Sequence, residues 1–305
     1  MEDPTSGPAR PSFDAIRVHQ EWTRLLQHLL ADKDWRAVLL LGPVDSGKST
    51  LCSYLGAELT SRWRTARLDC DPGQSQIGIP GALALGAEPW GGGPPLAMWF
   101  LGALSPAGHG EGIEAGAARL ADKAREVGFQ RMVVDSWGYF GMGGGRALQR
   151  RLVSALRPDY IVAVQRTDEL EPLLALLEPT YGHHIVRIGV SEMVRKRSQE
   201  QRRMYRQERY AAYFRDAASH SLEARRLAIV PDRPFGAESP AMRGRVVGLC
   251  GRDGFVVALG LVESWEPEKG IVRVFSPSFE ANGVTVLRVG EIVLAGPGWE
   301  ERTVR

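Results

Sequence analysis

Cysteine is scarce and forms no pattern: Cys52, Cys70 and Cys250 are the only three in 305 residues, far apart and without a C-x-x-C pair. That excludes a disulfide scaffold, argues against a zinc site, and suits reduced thiols in a cytoplasm. Long apolar runs are missing too. Nothing approaches the roughly 18 consecutive apolar residues that a membrane helix requires, and the first residues, Met1 to Arg10, are polar with Pro and Gly. The expectation is a soluble, cytoplasmic protein. Net charge is nearly absent, +2 over the whole chain, yet it is unevenly spread. Between Ser191 and Arg215 stand eight Arg or Lys against three Glu, a local balance of +5 that leaves the rest of the chain at −3. A one-signed cluster of this kind is either a solvated helix face or an anion-handling surface.

What is present is enough sequence for one large core or two modest ones. Apolar positions at helical spacing run from about Phe13 to Leu30, and Ala37 to Leu41 is a short, wholly apolar run that reads as a buried strand. Helices are expected at Thr50 to Leu59, Ala115 to Glu126, Ala147 to Leu156 and Leu170 to Leu177. Strands are expected at Arg67 to Cys70, Arg131 to Val134, Tyr160 to Val164 and His184 to Ile188. Such alternation predicts an α/β fold, a parallel sheet with helices on both faces. Gly91-Gly92-Gly93-Pro94-Pro95 reads as a surface loop. Beyond about His220 come short β-like runs at Arg245 to Leu249, Phe255 to Val262, Ile271 to Phe275 and Val284 to Val289, separated by turn residues. The implied domains are a short helical segment over 1–36, a P-loop domain over 37–219 that contains the basic segment 191–215, and a small β-rich domain over 220–305.

One motif carries specific chemistry. Gly42-Pro43-Val44-Asp45-Ser46-Gly47-Lys48-Ser49, followed by Thr50, fits G-x-x-x-x-G-K-[ST] between a predicted strand and a predicted helix. Its glycines let backbone N–H groups curl around a β-phosphate at a helix N-terminus. Lys48 reaches the β- and γ-phosphates, and the Ser49 hydroxyl ligates Mg²⁺. The reading is a phosphotransferase that binds ATP, or GTP, with Mg²⁺.

The next strand ends Leu68-Asp69-Cys70-Asp71-Pro72-Gly73-Gln74, at the sheet edge where open α/β sheets bind ligands. The spacing puts Asp69 and Asp71 on one side of the strand, so one can hold the metal through water while the other accepts a proton from an attacking hydroxyl. At the following strand end, Asp135-Ser136-Trp137-Gly138-Tyr139 offers a third acid, a hydroxyl and two aromatics. The rings can stack on a nucleic-acid base or pack in the core. In the basic segment, Arg195, Arg197, Arg202, Arg203, Arg206 and Arg209 cover more than one helix face. Guanidinium groups there can stabilise a phosphoryl group in transfer or grip an acceptor's phosphate backbone.

Together these blocks resemble the eukaryotic and archaeal polynucleotide 5′-hydroxyl kinases of tRNA splicing, mRNA cleavage and pre-rRNA processing. The P-loop, the Asp69-Cys70-Asp71-Pro72-Gly73-Gln74 turn with Ile79-Pro80-Gly81, the Ser136 to Tyr139 clasp, and Arg197-Ser198-x-x-x-Arg202-Arg203-x-x-Arg206-x-x-Arg209 ending Tyr213-Phe214 carry the resemblance. Phe100-x-Gly102-x-x-x-Pro106 is similar to a substrate-side loop of that family. The resemblance implies that Lys48 and Ser49 bind nucleotide and Mg²⁺, while Asp69 and Asp71 remain the metal candidates on the strand-end spacing above. It implies that Asp71 is the general base on the 5′-hydroxyl, and that Arg197 and Arg202 are lid arginines over the transferring phosphate. Gln74, Ser136, Trp137, Tyr139, Arg203 and Arg206 would meet the acceptor, an RNA 5′ end with DNA left open. Ser136 and Tyr139 stand where the family has Thr and Trp. A nucleotide-hydrolysing NTPase of regulation or metallocentre maturation, acting through a protein partner, and a small-molecule kinase are the rival classes.

Overall fold

The computed structural model describes residues 20–89, 93–141, 144–231, 242–266, 268–296 and 298–303. Phe13, Ile16, Gly91 and Gly92 therefore lie outside the described residues. Two compact units emerge, each discontinuous in sequence. One gathers the chain up to Cys70 with Ala84–Leu96 and Ala117–Lys196; the other gathers Asp71–Leu83, Ala97–Gly116 and everything from Arg197 on.

The first unit is built on wholly buried strands. β1 (Ala37–Leu41) lies between β5 (Arg131–Asp135) and β6 (Tyr160–Gln165), parallel to both, with β2 (Thr65–Asp69) parallel on the far side of β5 and β7 (Ile185–Gly189) parallel beyond β6. Each of β1, β2, β5 and β6 is buried along its full length, as a sheet covered by helices must be. The amphipathic helix α1 (Gln20–Ala31) buries Trp22, Leu25, Leu26 and Leu29, one helical stripe, in the same core as Val38, Leu40, Leu51 and Val162. α2 (Lys48–Leu59) adds Leu51, Cys52 and Leu55 to it.

The expected parallel sheet needs one correction. β3 (Ala82–Ala87) returns antiparallel along β2, pairing Ala66 with Ala87 and Asp69 with Ala84. No helix separates β2 from β3, and without a crossover helix the chain has no route to a parallel neighbour. The strand order is β4-β3-β2-β5-β1-β6-β7, with β4 at Ala97–Phe100. Helices α3 (Gly110–Glu126), α4 (Gly145–Leu156) and α5 (Glu171–Tyr181) complete the alternation, α3 starting five residues before Ala115. Its extra turn contains Gly110 and Gly112, poor helix formers that hide the start from a periodicity reading.

In the second unit α6 (Gln199–Tyr213) precedes a largely antiparallel sheet. Its order is β14-β13-β10-β11-β12-β8, from β8 (Ala218–Glu223), β10 (Arg245–Cys250), β11 (Val256–Glu266), β12 (Ile271–Ser276), β13 (Val286–Ala295) and β14 (Glu300–Thr303). β9 (Ala228–Pro231) pairs parallel with β13. Val247, Leu249, Val272, Val274 and Leu287 form its core. Among the described residues no helix is long and apolar enough to cross a membrane.

Candidate active site

The phosphate-cradling loop forms as its sequence requires. Gly47 takes φ +86° as the N-cap of α2, and Asp45 takes φ +54°, both in the left-handed region. Gly42 is pressed against β6, where an added Cβ would stand 2.6 Å from the Val164 carbonyl oxygen and 2.7 Å from Ser46 Oγ. The loop thus leads into the N-terminus of α2, where backbone N–H groups and the positive end of the helix can receive an anion. Lys48 is buried and donates from Nζ to the Pro43 carbonyl at 3.0 Å, lying across the loop.

Behind the loop sits an arginine that the sequence reading passed over. Arg67, on β2 and 1% exposed, donates to Ser53 Oγ at 2.7 Å and to the Ser49 carbonyl at 3.3 Å. It lies 3.6 Å from Asp135 Oδ2 and 3.8 Å from Glu88 Oε1. Burial alone would lower its pKa, but Cys52, Asp135, Glu88 and Asp69 together outweigh that and raise it, so the guanidinium stays charged. One buried cation therefore ties the first turn of α2 to the acid at the end of β5.

Asp69 and Asp135 are both 1% exposed and stand opposite each other in the parallel register of β2 and β5, as Leu40 does to Asp135 across β1. Asp135 Oδ1 is buried without a hydrogen-bond partner. Among the described residues no group of three or more His, Cys, Asp or Glu is arranged to hold a metal on its own. The hydroxyl of Ser49 and the buried carboxylates of Asp69 and Asp135, the last with an unpartnered Oδ1, fit Mg²⁺, which keeps waters and phosphate oxygens and takes only one or two protein groups. Ser49, with Asp69 or Asp135 acting through water, would hold it.

The clasp block leans on the same loop. Ser136 Oγ donates to the Leu40 carbonyl at 2.7 Å, and Gln149 Nε2 donates to the Trp137 carbonyl at 3.0 Å. At Gly138 a Cβ would be 2.5 Å from the Val44 nitrogen, so only glycine fits this approach. Trp137 is 1% exposed and presents no ring face to solvent, whereas Tyr139 is half-buried. Of the expected acceptor contacts here, the Ser136 hydroxyl and the Trp137 ring are used inside the unit, and Tyr139 is the accessible aromatic.

In the second unit, Asp71 lies beyond the end of β2, which stops at Asp69. The period-two alternation that would place Asp69 and Asp71 on one side therefore stops before Asp71. Its carboxylate instead turns the chain, Oδ1 accepting from the Gly73 and Gln74 nitrogens at 3.0 Å each. Gly73 is held close to Leu104, where a Cβ would meet the carbonyl oxygen at 2.6 Å. Gln74 donates to the Gly73 carbonyl at 2.7 Å, while its Oε1 is buried without a partner.

The basic segment divides its arginines by task. α6 opens with a capping box, Gln201 N donating to Ser198 Oγ at 3.1 Å and Ser198 N to Gln201 Oε1 at 2.9 Å. Arg206, expected at the acceptor, forks onto Glu301 with Nε at 2.9 and 2.8 Å from its two oxygens. Arg209 donates to the Gly78 carbonyl at 2.5 Å, Tyr205 to the Ser75 carbonyl at 2.8 Å and Tyr210 to the Pro80 carbonyl at 3.0 Å. These four residues anchor one face of the helix. Arg203 is exposed and pairs with Glu200 at 2.9 Å; Arg197 is exposed just before the cap, and Arg202 is half-buried in the first turns. The closing Phe214 stacks on Trp299 at 5.1 Å, and Tyr213 Oη accepts from the Leu259 nitrogen at 2.7 Å.

A P-loop at the carboxyl edge of β1, with acids at the ends of the two next strands, defines a P-loop nucleotide-binding protein. The family model described as mRNA cleavage and polyadenylation factor CLP1 P-loop matches residues 42–216, and the chain belongs to that family. It is 32% identical over 221 residues to a polyribonucleotide 5′-hydroxyl-kinase of Thermococcus kodakarensis, covering 70% of this chain and 61% of that protein. A protein of the same name in Pyrococcus furiosus is 31% identical over 205 residues, covering 65% of this chain and 56% of its own. The chain thus spans about six-tenths of these relatives. The solved wild-type Clp1p–Pcf11p complex shares the fold at a TM-score of 0.71 and 12% identity, covering 91% of this chain and 80% of that one.

Proposed function

We propose that the chain is a polynucleotide 5′-hydroxyl kinase that transfers the γ-phosphate of ATP or GTP to the 5′-hydroxyl of RNA, with DNA as a second acceptor. The observation that carries this reading is the family match over 42–216, which takes in the P-loop, the Asp71 turn and the arginine segment together. The archaeal relatives named for this activity support it.

In this reading the loop N–H groups and Lys48 hold the triphosphate. Ser49, with Asp69 or Asp135 behind it, would hold Mg²⁺, which when bound supplies charge neutralisation for the triphosphate. Asp71 takes the proton of the attacking 5′-hydroxyl, its turn with Gly73 and Gln74 fixing where the carboxylate sits. Arg197 and Arg202 neutralise charge on the phosphoryl group in transfer. Gln74, Tyr139 and Arg203 contact the acceptor, and Arg206 acts by anchoring α6 through Glu301.

The test is incubation with γ-labelled ATP or GTP and 5′-hydroxyl RNA and DNA oligonucleotides. Label on the RNA 5′ end is expected. Free phosphate released at the same rate with and without oligonucleotide, and no labelled end, would favour a partner-driven NTPase.

A further inference from the structure

We infer that Arg67 is a positioning residue for the divalent cation of the P-loop, one arm of its guanidinium holding Ser49 and Asp135 in the fixed relation that a shared Mg²⁺ requires. The inference rests on the nucleotide-binding half of the function proposed above and deepens it by naming the side chain that sets metal affinity.

Alternation along β2 puts Thr65, Arg67 and Asp69 on one face of the sheet, and Asp135, in register with Asp69 on β5, shares that face. α2 lies over it, since Arg67 donates to this helix at Ser49 and Ser53. Room for the charged group comes from Gly56 within α2, where an added Cβ would stand 2.5 Å from Glu88 Cδ. Glycine inside a helix is unfavourable, and here it admits the acid that accompanies Arg67.

The two arms of the guanidinium do different things. Nη1 donates to Ser53 Oγ at 2.7 Å and lies 3.8 Å from Glu88 Oε1, anchoring the side chain one turn along α2 from Ser49. Nη2 donates to the Ser49 carbonyl at 3.3 Å and lies 3.6 Å from Asp135 Oδ2. One nitrogen thus holds both the backbone of the residue whose hydroxyl would take the metal and one oxygen of an acid that would stand behind it. The other oxygen, Asp135 Oδ1, is buried with no hydrogen-bond partner among the described residues, which leaves it for a metal-bound water. The Ser49 carbonyl also accepts from Ser53 Oγ at 2.9 Å, so two donors fix it.

Charge points the same way. Asp135, Glu88 and Asp69 all act on Arg67, three buried acids around one buried guanidinium, an arrangement short of positive charge as a site for a divalent cation is. Stability alone does not account for the arginine, because a buried ion network adds little over apolar side chains of the same volume. An apolar residue could not hold Ser49 and Asp135 together. Lysine could not serve both ends either, since its single ammonium lacks the planar fork that reaches Ser53 with one arm and the metal donors with the other.

The test is Mn²⁺ binding, in place of Mg²⁺, to the whole chain with ADP, read from the electron paramagnetic resonance signal of the free ion. Wild type, Arg67→Lys and Glu88→Gln are compared, and ADP binding in EDTA is measured alongside. Arg67→Lys should bind Mn²⁺ roughly tenfold to a hundredfold more weakly, the loss usual when a group that orients metal ligands is removed. Its ADP affinity in EDTA should stay at the wild-type value. Glu88→Gln leaves Nη2 in place and should bind Mn²⁺ as wild type does. Should Arg67→Lys not fold, Arg67→Met combined with Glu88→Gln, which removes one buried charge of each sign, replaces it with the same expectation. Unchanged Mn²⁺ affinity, an equal loss in Glu88→Gln, or a loss of ADP binding in EDTA as large as the loss of Mn²⁺ would overturn the inference and leave Arg67 a packing residue of α2. A wild type that binds Mn²⁺ with ADP yet labels no oligonucleotide would sink the kinase reading and leave this inference standing. A wild type that binds neither would overturn both.

Discussion

Lys48 shows how much a single position depends on its surroundings. The P-loop motif predicts a lysine that meets phosphate, and here it is also enclosed, its stem buried and its ammonium on the Pro43 carbonyl. Truncation to alanine would therefore remove packing along with charge. Lys48→Met keeps the stem, so it should lose phosphoryl transfer by orders of magnitude while the melting temperature moves by only a few degrees, of order 1 kcal/mol. Wild-type transfer in that variant would remove Lys48 from the phosphate site. Asp71 poses a different question, since its Oδ1 already organises the turn through Gly73 and Gln74. Asparagine retains an acceptor oxygen for that turn and cannot take a proton. Asp71→Asn should lower kcat far more than it weakens nucleotide binding, as a group acting in the transition state does. Equal losses in both would make Asp71 a metal-site residue.

At the scale of elements, the P-loop's flank is tied together by side chains from three different elements. Glu171, at the start of α5, accepts from Arg187 of β7 at 2.9 Å and from Gln165 of β6. Arg187 and then Gln165 hold its carboxyl down at about 2, against an ordinary value of 4.5. A depressed carboxylate stabilises the fold above its unfolded pKa, and that contribution is lost as pH falls from about 4.5 toward 2. Both side chains are partly solvated, so the effect is small. Glu171→Gln should lower the urea midpoint near neutral pH, and the gap from wild type should narrow as the pH is brought down through that window. A gap of the same size at both ends would show that the pair is not the cause. Such contacts also explain what could be read in advance. β1, the P-loop and α2 were legible because a wholly apolar run, a glycine pattern and a helical stripe follow one another locally. β3 was not, because Ala82-Leu83-Ala84-Leu85-Gly86-Ala87 has weak strand propensity and gains its place by pairing with β2 and β4. Arg67 was invisible for a similar reason. Within Thr65 to Asp69 it reads as an outward polar residue, and partners on other elements, Ser53, Glu88 and Asp135 among them, make its burial tolerable.

Over the whole molecule, the residues named in the proposal fall in both compact units: the P-loop, Asp69 and Asp135 belong to one, and Asp71, Gln74 and the arginine segment to the other. The concentration of positive charge in one segment was legible from counting residues, but its division of labour was not, because Glu301 and the 76–78 carbonyls that engage Arg206 and Arg209 lie far off in sequence. That division sharpens the lid hypothesis. If Arg197 and Arg202 meet the phosphoryl group only during transfer, replacing either with Ala should lower saturated kcat by orders of magnitude and change oligonucleotide affinity little. Lysine should rescue only in part, since its point charge cannot span two oxygens as the planar fork does. Arg206→Ala should behave differently, lowering stability and, by loosening α6, reducing transfer without altering the salt dependence of binding. Arg203→Ala, at an exposed guanidinium paired with Glu200 within one helical turn, should weaken oligonucleotide binding and flatten its salt dependence while sparing saturated turnover. Single-turnover transfer, thermal melts and binding across a salt series separate the three behaviours. Normal saturated transfer by both Arg197→Ala and Arg202→Ala would end the lid hypothesis, and the segment would then be a helix whose charge serves solvent or a partner.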